Sequence, residues 1–81
     1  MKFFVYVLGN GDKHTWRSYV GWTVDLDQRL EKHNAGTGAR STRGRHWNLI
    51  YAERYDSRHK AMSREWHLKR DRAFRKLLLG S

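Results

Sequence analysis

The chain opens on a run of apolar and aromatic residues, Phe3 to Leu8, that reads as a buried β-strand. Gly9-Asn10-Gly11-Asp12 follows with the chemistry of a turn. Trp16 to Trp22 (WRSYVGW) predicts a second strand, so the first two elements form an antiparallel hairpin with a loop of several residues. The spacing then turns helical: Leu26, Arg29, Leu30 and His33 fall at i, i+3, i+4 and i+7 and share one face. Asp25 is the N-cap of that helix, with Gln28 in a capping-box-like position, and Asn34-Ala35-Gly36 stops it. Asn34 to Trp47 (NAGTGARSTRGRHW) is Gly-rich and polar, and reads as a loop with room for a short helical turn. Asn48 to Tyr55 predicts a third strand. Ser57 caps a helix to about Arg70, and Arg72 to Leu79 is a last short helix with Phe74, Leu77 and Leu78 as its apolar face. The expected fold class is α+β: a three-stranded antiparallel sheet flanked by helices, in the order β-β-α-β-α-α.

With 81 residues, no repeat and no linker, the chain is expected to form one domain over residues 1–81. Its core is thin, but 4 Trp, 4 Tyr and 3 Phe each remove a large apolar area from water. There is no Cys, which excludes disulfides and thiolate metal sites and fits a reducing compartment. Five histidines (14, 33, 46, 59, 67) lack zinc-ligand spacing. Gly36-Thr37-Gly38 lacks the rest of a phosphate loop.

Charge changes the picture most. The 17 Lys and Arg outnumber 8 Asp and Glu, a formal net charge of +9. A polyanionic partner is expected, nucleic acid before an anionic membrane surface. The apolar run from Phe3 is too short to span a bilayer and lacks the h-region and cleavage site of a signal peptide. A soluble, cytoplasmic protein is expected. From Arg54 to Lys76, nine basic residues face three acids, and Arg40, Arg43 and Arg45 stand in the Gly-rich loop, whose N–H groups can cradle phosphate. Trp16, Trp22, Trp47 and Trp66 interleave with the charges. Some can stack on bases, though each also suits a core.

Three constellations carry candidate chemistry. Tyr6 and Tyr19 lie on adjacent strands, where both can stand on one sheet face. A phenol donates or accepts a hydrogen bond, and nearby cations can lower its pKa from about 10. Gly21 leaves room for a close approach. By spacing alone, two half-buried strand aromatics are the commoner account. Arg29 and His33 sit on the apolar face of the first helix, where a guanidinium can grip phosphate and an imidazole can move a proton. The bland alternative sends the Arg29 head into water and makes His33 a cation at a helix end. Glu65 is the only internal acid of its helix and shares a face with Ala61 and Leu68. An inward carboxylate needs a cation, either a divalent metal or a neighbouring arginine.

Taken in order, these residues resemble the GIY-YIG nuclease superfamily, in particular its small single-domain bacterial members. The first motif stands as Val5-Tyr6-Val7 and the second as Tyr19-Val20-Gly21. Thr23, Asp25-Leu26, Arg29-Leu30 and His33-Asn34 follow in the pattern YxGxTxDLxxRLxxHN. Gly36 to Gly44 resembles the family's GxGAxxTRG stretch, and Ala61, Glu65 and Lys69 match the helix that carries its metal-binding glutamate. Val5 departs from the family's first Gly.

The resemblance implies phosphodiester hydrolysis with one divalent ion, Mg²⁺ or Mn²⁺. Tyr6 would be the base or position the water, Tyr19 would orient the phosphate, and Arg29 would stabilise the charge on the phosphoryl oxygens. His33 would assist at the water and Glu65 would hold the metal. Thr23, Arg40, Arg43, Arg45 and Lys69 are the expected nucleic-acid contacts. DNA is favoured over RNA on the resemblance alone. A small basic domain without a sequence-reading module suits single-stranded or branched DNA. Two rival readings are a non-catalytic DNA- or RNA-binding module and a protein-interaction module docking through Leu77-Leu78-Leu79. The loop residues Asp12-Lys13-His14 are further candidates for touching substrate.

Overall fold

The computed structural model describes residues 1–11 and 16–80. The candidate loop residues Asp12-Lys13-His14 lie outside them. The element order is β1 (Phe3–Asn10), β2 (Arg17–Thr23), α1 (Leu26–Asn34), a single 3₁₀ turn (Arg40–Thr42), β3 (Asn48–Tyr55), α2 (Arg58–Arg70) and α3 (Arg72–Gly80). The sheet is antiparallel with strand order β2-β1-β3. This is the layout expected from the hydrophobic pattern, with β1 two residues longer than its apolar run. Gly9 pairs with Ser18 on one side and Asn48 on the other, so the backbone ladder continues past the last apolar side chain.

β1 is the central strand, buried on both faces. Val5 and Val7 point to one face, where they join Val20, Ala61 and Leu68 beneath α2. Val5, the departure from the family pattern, is thus a fully buried core residue on the face away from Tyr6. Tyr6 and Leu8 point to the other face and pack with Trp47, Tyr19, Leu26 and Leu30. This alternation follows from the two-residue period of a strand. It puts α1 over one face and α2 with α3 over the other.

Local signals set the helix ends. The Asp25 carboxylate accepts from the Gln28 N–H at 3.0 Å, which satisfies one of the N–H groups a helix start leaves unpaired. α1 ends where Gly36 takes a positive φ of 80°, a conformation a side chain would disfavour. Ser57 caps α2 through the Lys60 N–H. Asp71 separates α2 from α3 and accepts from the Phe74 N–H at 3.1 Å. Arg75 then reaches back, donating to the Ser18 hydroxyl at 2.7 Å and the Leu68 carbonyl at 3.1 Å. The end of α2 is thereby tied to β2. On β3, Glu53 accepts from the hydroxyls of Tyr51 and Tyr55 and from both Nε and Nη2 of Arg64. This network holds α2 to the sheet.

Candidate active site

Tyr6 stands at the middle of β1 directly opposite Gly21 of β2. Its ring leans across the sheet onto that glycine. A Cβ at position 21 would lie 2.5 Å from the Tyr6 hydroxyl, so any side chain there would displace the phenol. The close approach that Gly21 permits is therefore to Tyr6 itself. Tyr19 lies two residues earlier on β2, on the same face, with its ring centroid 6.4 Å from that of Tyr6 and 4.8 Å from that of His33.

α1 supplies the other two groups. His33 is fully buried, and its Nε2 lies 2.9 Å from the Tyr6 hydroxyl. The Arg29 Nε donates to the same hydroxyl at 3.4 Å. Neither bland reading of this face holds: the guanidinium turns to a phenol, and the imidazole lies inside the domain.

The far side of His33 fixes its protonation. Nδ1 lies 2.8 Å from the Thr42 hydroxyl, which donates its own proton to the Ala39 carbonyl at 2.7 Å. That hydroxyl is left as an acceptor, so Nδ1 carries the hydrogen and Nε2 presents a lone pair to Tyr6. Tyr6 therefore donates to His33 and accepts from Arg29. Thr42 is fully buried and closes this chain. Sequence reasoning placed Thr42 in the GxGAxxTRG stretch without giving it a task. The available signal was a hydroxyl in an arginine-rich loop following a buried histidine. Gly38 fits closely against the same ring, since a Cβ there would lie 2.6 Å from His33 Nδ1.

The charge balance at Tyr6 is set by burial more than by cations. Nearby cations can lower a phenol's pKa, and Arg29 acts in that direction. Burial instead pushes the phenol above its usual range, outweighing the Arg29 bond, with Tyr19 and Glu65 pushing the same way. Arg29 is held more firmly charged, first by its bond to Tyr6. Burial and then Arg29 hold His33 below the ordinary imidazole range, so the ring is neutral at neutral pH.

Glu65 projects from α2 between the buried Ala61 and Leu68 and is partly buried. Lys69 Nζ lies 3.7 Å from its carboxylate, so its neighbour is a lysine rather than an arginine. Its charge is felt at Tyr6, although among the described residues no hydrogen bond joins it to the tyrosines, Arg29 or His33. Among those residues no group of three or more His, Asp or Glu gathers to hold a metal. A single carboxylate still suits Mg²⁺ or Mn²⁺ where water and phosphate oxygens complete the coordination.

The other expected residues are placed more loosely. The Thr23 hydroxyl bonds the Asp25 N–H and carbonyl at 3.2 and 3.3 Å and shapes the entry to α1. Arg40 lies in the 3₁₀ turn, and Arg40, Arg43 and Arg45 are exposed. Arg45 lines a cavity with Tyr19. Trp47 is buried, with its indole N–H on the Thr42 carbonyl at 2.9 Å, whereas Trp66 is exposed beneath the Arg70 guanidinium. Leu77 is exposed, while Leu78 packs against the core.

Sheet order, helix placement and the polar centre together define a small basic α+β domain built around two strand tyrosines. The family model of the GIY-YIG catalytic domain matches residues 2–77, and the chain belongs to that family, which is a nuclease superfamily. Among its relatives is the UPF0213 protein CPE1444 of Clostridium perfringens, 39% identical over 79 residues, covering 96% of this chain and 82% of the relative. A UPF0213 protein of Natronomonas pharaonis is 42% identical over 67 residues, covering 82% and 75%. The solution structure of the UPF0213 protein BH0048 from Bacillus halodurans is 35% identical, covers 96% of this chain and 82% of its own, and superposes with a TM-score of 0.51. Membership of the family implies nucleic-acid binding, and its nucleases generally use divalent metals. Among the described residues no helix is long and apolar enough to cross a membrane.

Proposed function

We propose that the protein is a metal-dependent endonuclease that hydrolyses phosphodiester bonds in single-stranded or structured DNA. The observation that carries this reading is the buried relay Arg29–Tyr6–His33, with Nε2 of His33 free to take the tyrosine proton. A fold used only for binding nucleic acid needs exposed lysines and arginines, not a buried phenol between a guanidinium and a neutral imidazole.

The geometry supports the following chemistry. Tyr6 is too weak an acid to stand as a phenolate, so it works as a relay. As water attacks phosphorus, the Tyr6 oxygen accepts its proton and passes the phenolic proton to His33 Nε2. His33 is neutral and able to receive it. Its depressed pKa makes that state short-lived: as the P–O bond to the leaving oxygen breaks, His33 returns its proton to Tyr6, and Tyr6 releases one to the leaving oxygen or to solvent, which restores the neutral imidazole and phenol. Arg29 presents fixed positive charge to the phosphoryl oxygens as they gain charge. Tyr19, beside Tyr6, orients the phosphate. Glu65 would hold the Mg²⁺ or Mn²⁺ ion, which supplies Lewis-acid stabilisation and steadies the leaving oxygen when bound.

The test compares wild type with Glu65→Ala and Arg29→Ala on labelled single-stranded, duplex and branched DNA, with Mg²⁺ or Mn²⁺ and then with EDTA. Wild type is expected to cut in metal and stop in EDTA. Each variant should lose about 10²–10³ in rate, the scale of removing one group that stabilises transition-state charge. Binding without any cutting by wild type would identify a non-catalytic module. Normal cutting by both variants would overturn the site.

A further inference from the structure

We propose that the cavity beside Tyr19 seats one unpaired base of the substrate strand next to the phosphate that is cut, an inference that rests on the nuclease reading above. The cavity measures about 490 Å³, within the range of sites that hold small organic ligands. Trp16, Arg17, Tyr19, Arg45, Trp47 and Arg72 line it, and among the described residues no carboxylate does.

Three features favour a base as the occupant. The first is the walls. Trp16 and Tyr19, both half-buried, offer aromatic surfaces, Trp47 closes the cavity from the core, and every base has a face that stacks on such a surface whatever its sequence. Trp47 is fixed, because it is buried and its indole N–H is held by Thr42. The second is the charge. Arg17, Arg45 and Arg72 approach from β2, the Gly-rich loop and the start of α3, and the Arg72 guanidinium lies 6.0 Å from the Trp16 ring centroid. A base stacked inside would carry its phosphates to these guanidiniums. The third is proximity. Tyr19 lines the cavity, and its ring centroid lies 4.8 Å from that of His33, so one side chain separates the cavity from the relay.

A second cavity, of about 280 Å³, opens at Arg29 and includes Trp22, Thr23 and Lys32. The first cavity is lined by Tyr19 and the second by Arg29, the two residues that flank the buried Tyr6, so a strand engaging both would place a phosphate beside the relay. Bases of an intact duplex are stacked and paired and cannot enter the first cavity. A loop, a flap or a frayed end can. The cavity therefore selects for unpaired nucleotides by shape, and Trp16 is its discriminating wall.

The experiment measures binding in EDTA, where no cutting occurs, of a labelled single-stranded oligonucleotide and a blunt duplex of equal length. Wild type, Trp16→Ala and Trp16→Phe are compared, with thermal unfolding as the check on folding. Trp16→Ala should weaken single-strand binding about tenfold, from the loss of one stacked base, and leave duplex binding within about twofold. Trp16→Phe should recover most of the loss. If Trp16→Ala does not fold, Arg72→Gln serves in its place and should narrow the single-strand preference about threefold. Unchanged single-strand binding in a folded variant would overturn the proposal, as would an equal loss on both substrates. The two readings fail separately. A wild type that cuts nothing sinks the nuclease reading while the binding preference still tests the cavity. Cutting that depends on Glu65 alongside indifferent Trp16 variants sinks the cavity alone.

Discussion

Thr42 shows what a single side chain decides here. Its hydroxyl has one proton, given to Ala39, and so can only accept from His33. Thr42→Val keeps the shape and removes that acceptor. The imidazole is then free to place its hydrogen on Nε2, where it opposes the Tyr6 proton. The expected outcome is a fall in cutting rate of about 10²–10⁴, the range attached to acid–base groups, with DNA binding unchanged and Thr42→Ser close to wild type. The pH profile distinguishes this from simple loss of stability. In wild type the rate should hold as pH drops to 6.5 and decline only below it, because His33 is protonated only below its ordinary range. The same sign applies to folding. The unfolded chain takes up the His33 proton first, so stability is full above about 6.5 and falls as pH drops through the lower folded value. A Thr42→Val variant that keeps the wild-type profile and rate would overturn this account. The chemistry-bearing residue types were legible in the sequence at this scale. The proton's position was not, because it depends on a contact between an irregular loop and a helix that no periodicity announces.

At the scale of elements, the strands and helices follow their signals closely. β3, α2 and the caps at Asp25 and Ser57 stand where pattern and capping chemistry put them. The Gly-rich loop is better ordered than its composition suggests. The Asn34 side chain bonds both the N–H and the carbonyl of Trp47, at 2.6 and 3.1 Å, and so holds the loop's two ends together. The Glu53 network was also hidden. Tyr51, Glu53 and Tyr55 alternate onto one face, but which helix residue would meet them depends on the angle of α2, which sequence does not state. The pairing of β1 with β2 yields the sharpest test at this scale. Gly21→Ala introduces a methyl group where the Tyr6 hydroxyl now lies. A cost of about 1–3 kcal/mol in stability is expected from overpacking. Cutting should fall much further than that, at least tenfold at a temperature where the variant is fully folded, since a displaced phenol cannot reach both Arg29 and His33. Wild-type activity in a folded Gly21→Ala protein would show that the position of Tyr6 is unimportant.

For the molecule as a whole, charge was the most legible property and convergence the least. A net charge of +9 on 81 residues points to a polyanion without any structure. That positions 6, 19, 29 and 33, expected to converge with Glu65, meet in one place is a property of the sheet order β2-β1-β3 and of α1 folding back over it, while Thr42, to which no part was given, joins them from the loop. Nothing local in the chain encodes it, and only the family resemblance made it visible beforehand. The charge has a measurable consequence. If roughly five phosphates are neutralised, the logarithm of the single-strand binding constant should fall against the logarithm of salt with a slope of about −3 to −4. A titration from low to physiological salt measures it, and a slope near zero would exclude phosphate contacts as the main source of affinity.

Among the described residues Glu65 belongs to no group of three or more acids and histidines, and a carboxylate shared with Lys69 is a poor trap for a divalent ion. On the nuclease reading, the ion is only half housed until a strand supplies the missing oxygens. Its arrival and that of the nucleic acid would then be one event, each tightening the other. A protein arranged in this way carries no loaded blade between substrates: it is armed by what it is about to cut.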